Sequence, residues 1–226
     1  MTEPTAPVAK SALWEDILEI FYAPAQVFAR REGRGYGLPW LVLVVLTAVL
    51  FYASMGALQP IFDAESARQA AAVLEANPEL DAEMIRSRFE AGQKFAGIAI
   101  IVFSAIVPFI VGLLLWLAGK VVGAIQVLGA AIMVAVFSAF PKLLGFVSAA
   151  IQSAFMAPES LTGQASVSLG PARFFDPVTT GPMLMAFLIR LDVFTIWATV
   201  LLAIGLKVTG KVSLGQAAIA AAIVWV

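Results

Sequence analysis

Two stretches of this chain, Leu38–Leu58 and Phe95–Ala118, run for 21 and 24 residues without a charged side chain. A helix needs about 20 such residues to cross a hydrocarbon core of about 30 Å. Inside that core the backbone must satisfy its own hydrogen bonds, which leaves helices or closed barrels as the only solutions. Trp40 and Tyr52 lie toward the two ends of the first stretch and Trp116 closes the second, where interfacial aromatics collect. The composition agrees, with 61% hydrophobic and 13% charged residues against about 45–50% and 25% in soluble domains. These features predict an all-α fold. It is a polytopic transmembrane helical bundle of about five spans, with an N-terminal amphipathic helix and an extramembrane helical hairpin.

The remaining spans are less regular. From Ala124 to Phe155 the only charge is Lys142, and as one helix this region would be about 48 Å long, too long for an untilted crossing. Pro141 lies near its middle, so a kinked or broken third span over 125–156 is expected, and Pro108 should kink the second. Ala157–Pro182 reads as a loop rich in Ser, Thr, Gly and Pro, with Phe174 and Phe175 at the interface. Beyond it, Arg190-Leu191-Asp192 interrupts an apolar run. Either the fourth span is 191–208 with 183–189 in the interface, or it starts at Met183 and buries Arg190 and Asp192, which costs several kcal/mol unless they are paired. The first is preferred. Leu214–Val226 offers 13 residues, about 20 Å of helix and short of a crossing. The expectation is that the natural chain continues beyond Val226.

Two domains follow, a cytoplasmic tail with an interfacial helix over 1–37 and a transmembrane domain over 38–226 with a helical insert at 59–94. Residues 1–10 read as a disordered tail without the basic region of a signal peptide. Ser11 is a candidate cap, and Trp14, Ile17, Leu18 and Phe21 then recur at helical spacing opposite Glu15, Asp16 and Glu19. With Arg30, Arg31 and Arg34 after it, this segment suits either the membrane surface or packing on the protein's own bundle. The insert holds seven acids and four bases, with Asn77-Pro78 expected to separate two solvated helices. The 1–37, 119–124 and 207–213 segments hold the flanking arginines and lysines, so the positive-inside rule puts the N-terminus in the cytoplasm. The location expected is a bacterial inner membrane.

The chain has no histidine and no cysteine, which removes the usual general base, the thiol nucleophile and the commonest metal ligands. No catalytic, cofactor-binding or metal-binding residue is predicted, and a net charge of −1 gives no field to attract nucleic acid. Four residues stand out as functional candidates: Lys142, Asp192, Arg190 and Pro141. A lysine in hydrocarbon costs roughly 2.5–3.5 kcal/mol on insertion scales. Lys142 should therefore either bind an anionic lipid or substrate in a cavity between helices or, with the helix broken at Pro141, snorkel to an interface. Asp192 either pairs with Lys142 or caps the fourth span, and Arg190 is then an interfacial anchor. The small residues Gly129, Ala130, Ala131, Ala135, Ser138 and Ala139 permit close helix approach, within the bundle or in a homo-oligomer. Expected partners are membrane lipids and other proteins, and the function expected is to organise them. The alternative is a transporter or permease subunit using Lys142 and Asp192.

Several segments resemble the Yip-one family, named for interaction with Ypt/Rab GTPases. Phe21-Tyr22-Ala23-Pro24 through Phe28 is similar to its aromatic-x-Pro-x-x-x-Phe stretch ahead of the first span. Trp116 through Gly119-Lys120 to Phe140-Pro141 resembles its second turn and third span. Leu191-Asp192 through Trp197 to Gly205 resembles its fourth span, and Lys211–Val226 the start of its fifth. The resemblance implies five spans, a cytoplasmic N-terminus, no enzymatic activity and, for eukaryotic members, a role in vesicle trafficking. The short N-terminal tail leaves little room for a GTPase-binding domain.

Overall fold

The computed structural model describes residues 12–225; the N-terminal tail and the Ser11 cap lie outside them. The described residues form eight α-helices and three short 3-10 turns, with no strand. Helices α1 (Leu13–Glu19) and α2 (Pro24–Arg31) make an N-terminal hairpin. They are followed by α3 (Gly37–Ala76), α4 (Ala82–Val121), α5 (Leu128–Phe155), α6 (Pro182–Arg190), α7 (Val193–Gly210) and α8 (Leu214–Trp225). Four of these, α3, α4, α5 and α7, are long and apolar enough to cross a membrane, and α8 with 12 residues is shorter than a crossing.

The 59–94 insert is not a hairpin separate from the spans. Helix α3 has 40 residues and α4 another 40, each about 60 Å long and twice the hydrocarbon thickness. The predicted break at Asn77-Pro78 is real, since α3 ends at Ala76 and α4 begins at Ala82. What the sequence did not reveal is that each span runs straight into its half of the insert, through Pro60 in α3. The third span is likewise one continuous helix through Pro141. It is shortened to 28 residues because 124–127 is non-helical. In the fourth apolar region α6 ends at Arg190 and α7 starts after Asp192.

The chain divides into two compact units. Unit 1 comprises residues 1–41, 107–140 and 199–226. In it the first half of α5 is almost wholly buried, Ala131, Val134, Val136 and Phe137 completely so. Close helix approach is set by two glycines outside the small-residue run. A Cβ added at Gly112 would lie 2.7 Å from Ile132 Cα, and one at Gly205 would overlap the Val134 side chain. Ala131, Ala135 and Ser138 are buried in this packing, whereas Gly129 has nothing within 4 Å of a built Cβ. Ile125 donates its N–H to Gly210 O at 3.1 Å, joining the turn before α5 to the end of α7.

In the N-terminal hairpin of unit 1, one acid of α1 turns inward rather than to a wet face. Glu15 accepts the Ala12 N–H at 2.9 Å, which caps the start of the helix. Asp16, expected on the polar face, is 0% exposed, while Trp14, Leu18 and Tyr22 are 63%, 55% and 75% exposed. The Asp16 carboxylate accepts from Arg30 at 2.6 Å and from Arg31 Nε at 2.5 Å. Glu19 also pairs with Arg30. The hydrogen bond that Arg30 donates to Glu19 raises the Arg30 pKa most; burial opposes it and Asp16 adds to it. The Arg31 guanidinium lies 5.8 Å from the centre of the Phe137 ring of α5, within cation–π range. The hairpin is thus fixed by buried charge, and its aromatic ridge faces outward.

Unit 2 comprises residues 42–106 and 141–198. Leu58 and Ile61 of α3 pack with Leu161 and Val167 of the 157–181 loop. Ala165 and Ala172 of the same loop pack with Met185 and Leu188 of α6. The loop is therefore a folded cover built on two of its 3-10 turns, with Phe174 left 81% exposed.

A candidate lipid cavity in the second unit

Unit 2 contains a cavity of about 520 Å³, inside the usual range of about 300–1,000 Å³ for small-ligand sites. Helix α3 supplies Leu58, Ile61, Phe62 and Glu65, and α5 supplies Lys142, Gly145, Phe146 and Ala149. The loop supplies Gln164, Val167 and Ser168, and the α6–α7 junction Ile189, Asp192 and Phe194. Most of this surface is apolar. At Gly145 α5 lies beside the Phe194 ring, which would be in ordinary contact, 3.5 Å, with a Cβ at that position.

Both charged candidates, Lys142 and Asp192, line this one cavity. They are not joined by an ion pair. Asp192 instead caps α7, its Oδ1 accepting the Phe194 N–H at 3.0 Å and its carbonyl the Ile196 N–H at 3.0 Å. Its Oδ2 accepts the Leu169 N–H at 2.8 Å and the Ser168 hydroxyl at 3.1 Å. A capping aspartate satisfies donors that the first turn of a helix leaves orphaned. Close approach of the loop makes this possible, since a Cβ at Gly170 would fall 2.7 Å from Leu191 O. Asp192 is thereby a structural clamp between loop and span.

Lys142 is exposed on the cavity wall and makes no hydrogen bond or ion pair among the described residues. Arg190, in the last turn of α6, is near enough for the two cations to repel. Pro141 is buried in the uninterrupted α5, so Lys142 projects from the side of a continuous helix rather than from a broken end. It is residue 15 of 28 in that helix, about 20 Å from either end.

Sequence reasoning missed three contributors. Glu65 comes from the extension of α3 and is held by Arg68 and, at 2.8 Å, by Gln69. Gly163, at φ 137°, lets the loop reach Glu65, where a Cβ would lie 2.5 Å from Oε2. Gln164 follows it on the cavity wall. These residues stand more than 20 positions from Lys142 in the chain, and no periodicity links them to it.

No curated protein and no solved structure matches this chain. A family model does, that of the Yip1 domain, over residues 18–226. The match runs through the 59–94 insert and the 157–182 loop as well as the stretches that carry the resemblance. With four spanning helices and a family match over nearly its whole length, the chain is a multi-pass integral membrane protein belonging to the Yip1 family.

Proposed function

We propose that this protein is a non-enzymatic membrane organiser that acts by holding lipid, with its N-terminus on the cytoplasmic side. The observation that carries this reading is the unit 2 cavity, apolar over most of its wall and bearing an unpaired lysine on a membrane-spanning helix. A cavity of this kind suits a molecule with a polar head and an apolar body. Transport through a Lys142–Asp192 couple is the weaker alternative, because the Asp192 carboxylate is already bonded to Ser168, Leu169 and Phe194. Most of the small-residue surface of α5 serves packing within the chain, so lipids are favoured over a second copy as partners. Lipid extraction from protein purified in mild detergent tests the proposal. One retained lipid per chain is expected. Folded protein free of lipid, together with an unchanged membrane lipid profile on deletion, would contradict it.

A further inference from the structure

We infer that the unit 2 cavity is selective for an anionic amphiphile, whose phosphate or carboxylate oxygens accept hydrogen bonds from Lys142 while its apolar part lies against Phe62, Phe146 and Phe194. This inference rests on the lipid-holding reading and adds headgroup charge to it.

Four observations converge on a negative headgroup. The Lys142 ammonium has three donors and no acceptor function, and nothing in the described chain accepts from it. Neither carboxylate on the cavity wall pairs with Lys142: Glu65 Oε1 is held by Arg68 and Gln69, and Asp192 accepts from Ser168 and two backbone N–H groups. Arg190 adds positive potential next to Lys142 rather than neutralising it. Gln164, on the same wall, has no side-chain hydrogen bond among the described residues and supplies an uncharged donor for an ester or phosphate oxygen.

The choice of an amphiphile over a free oxyanion comes from the rest of the surface. Leu58, Ile61, Phe62, Phe146, Val167 and Phe194 would leave a small hydrated anion against hydrocarbon on most sides. An anion desolvated in that way is unfavourable unless it is paired. An acyl or isoprenoid portion removes the same apolar surface from water and makes the site favourable as a whole.

Native mass spectrometry of the full-length protein, released from detergent with added phosphatidylglycerol, phosphatidylcholine or glycerol phosphate, tests this inference. Phosphatidylglycerol should bind at least about tenfold more tightly than phosphatidylcholine, whose phosphate can accept the same bond but whose choline cation is repelled by the Lys142 ammonium. Lys142→Met should abolish that preference and Lys142→Arg should keep it, with helical content and melting temperature checked for both. If neither variant folds, the headgroup series on the unaltered protein decides alone. Equal binding of the two lipids would overturn the inference while leaving the lipid-holding function standing. Glycerol phosphate binding as tightly as phosphatidylglycerol would overturn the amphiphile. No lipid binding at all would remove both.

Discussion

Replacing Asp16 with asparagine probes the charge cluster that fixes the N-terminal hairpin. The side chains of Arg30 and Arg31 are only 15% and 11% exposed, and Asp16 itself is 0% exposed. Removing one partner of such a buried pair leaves a desolvated charge without compensation, which typically costs about 3–5 kcal/mol. Arg30 keeps Glu19 as a second acceptor, and asparagine retains one carbonyl oxygen, so the loss falls mainly on Arg31. The expected destabilisation is therefore at the lower end, about 3 kcal/mol. Unfolding in detergent micelles, followed by circular dichroism across a denaturant series, measures it. Combining Asp16→Asn with Arg31→Met should recover part of the loss, because the stranded cation goes with its partner. A single-variant change below about 0.5 kcal/mol, the scale of an ordinary surface substitution, would refute the assigned role of the cluster.

Other substitutions test the packing and the topology. Gly112→Ala places a Cβ 2.7 Å from the Ile132 backbone, so α4 and α5 must part and stability should fall by about 1–3 kcal/mol; a neutral result in the same unfolding assay would deny the close approach. Thr209→Val removes the hydroxyl that bonds the 3% exposed Gln126 at 2.8 Å, and a loss of about 1–3 kcal/mol is expected for the stranded amide oxygen. Equal stability of the valine variant would show that Gln126 is satisfied another way. Because the chain has no cysteine, single cysteines report sidedness without background. With the N-terminus cytoplasmic, an impermeant maleimide added to intact cells should label Glu79→Cys and spare Gly35→Cys, and the reverse pattern would invert the topology.

Much of this architecture is written in the distribution of charge along the chain. Leu38–Leu58 and Phe95–Ala118 announce helices because nothing else is stable in hydrocarbon, and Asp192 announces a helix start because it precedes an uncharged run. The extent of α3 was hidden because Gln59-Pro60 looks like a boundary. A proline costs a helix one hydrogen bond, and here the helix on either side of it continues regardless. The burial of Asp16 was hidden for a different reason. Periodicity assigns acids to the wet face, but the partners that make burial tolerable lie 14 and 15 residues away on a second helix. Lys142 could be singled out, as a charge where charges are expensive. The cavity around it could not, because Glu65, Gln164 and Asp192 reach it only through the tertiary fold.

A density map of the protein in a nanodisc containing phosphatidylglycerol would test the lipid-holding account most directly. It should show elongated density in the unit 2 cavity, its head within hydrogen-bonding distance of Lys142 Nζ and its tail along Phe146 and Phe194. A cavity closed by side chains, or open and filled only with water while Lys142 reaches out to the bulk headgroup layer, would contradict it.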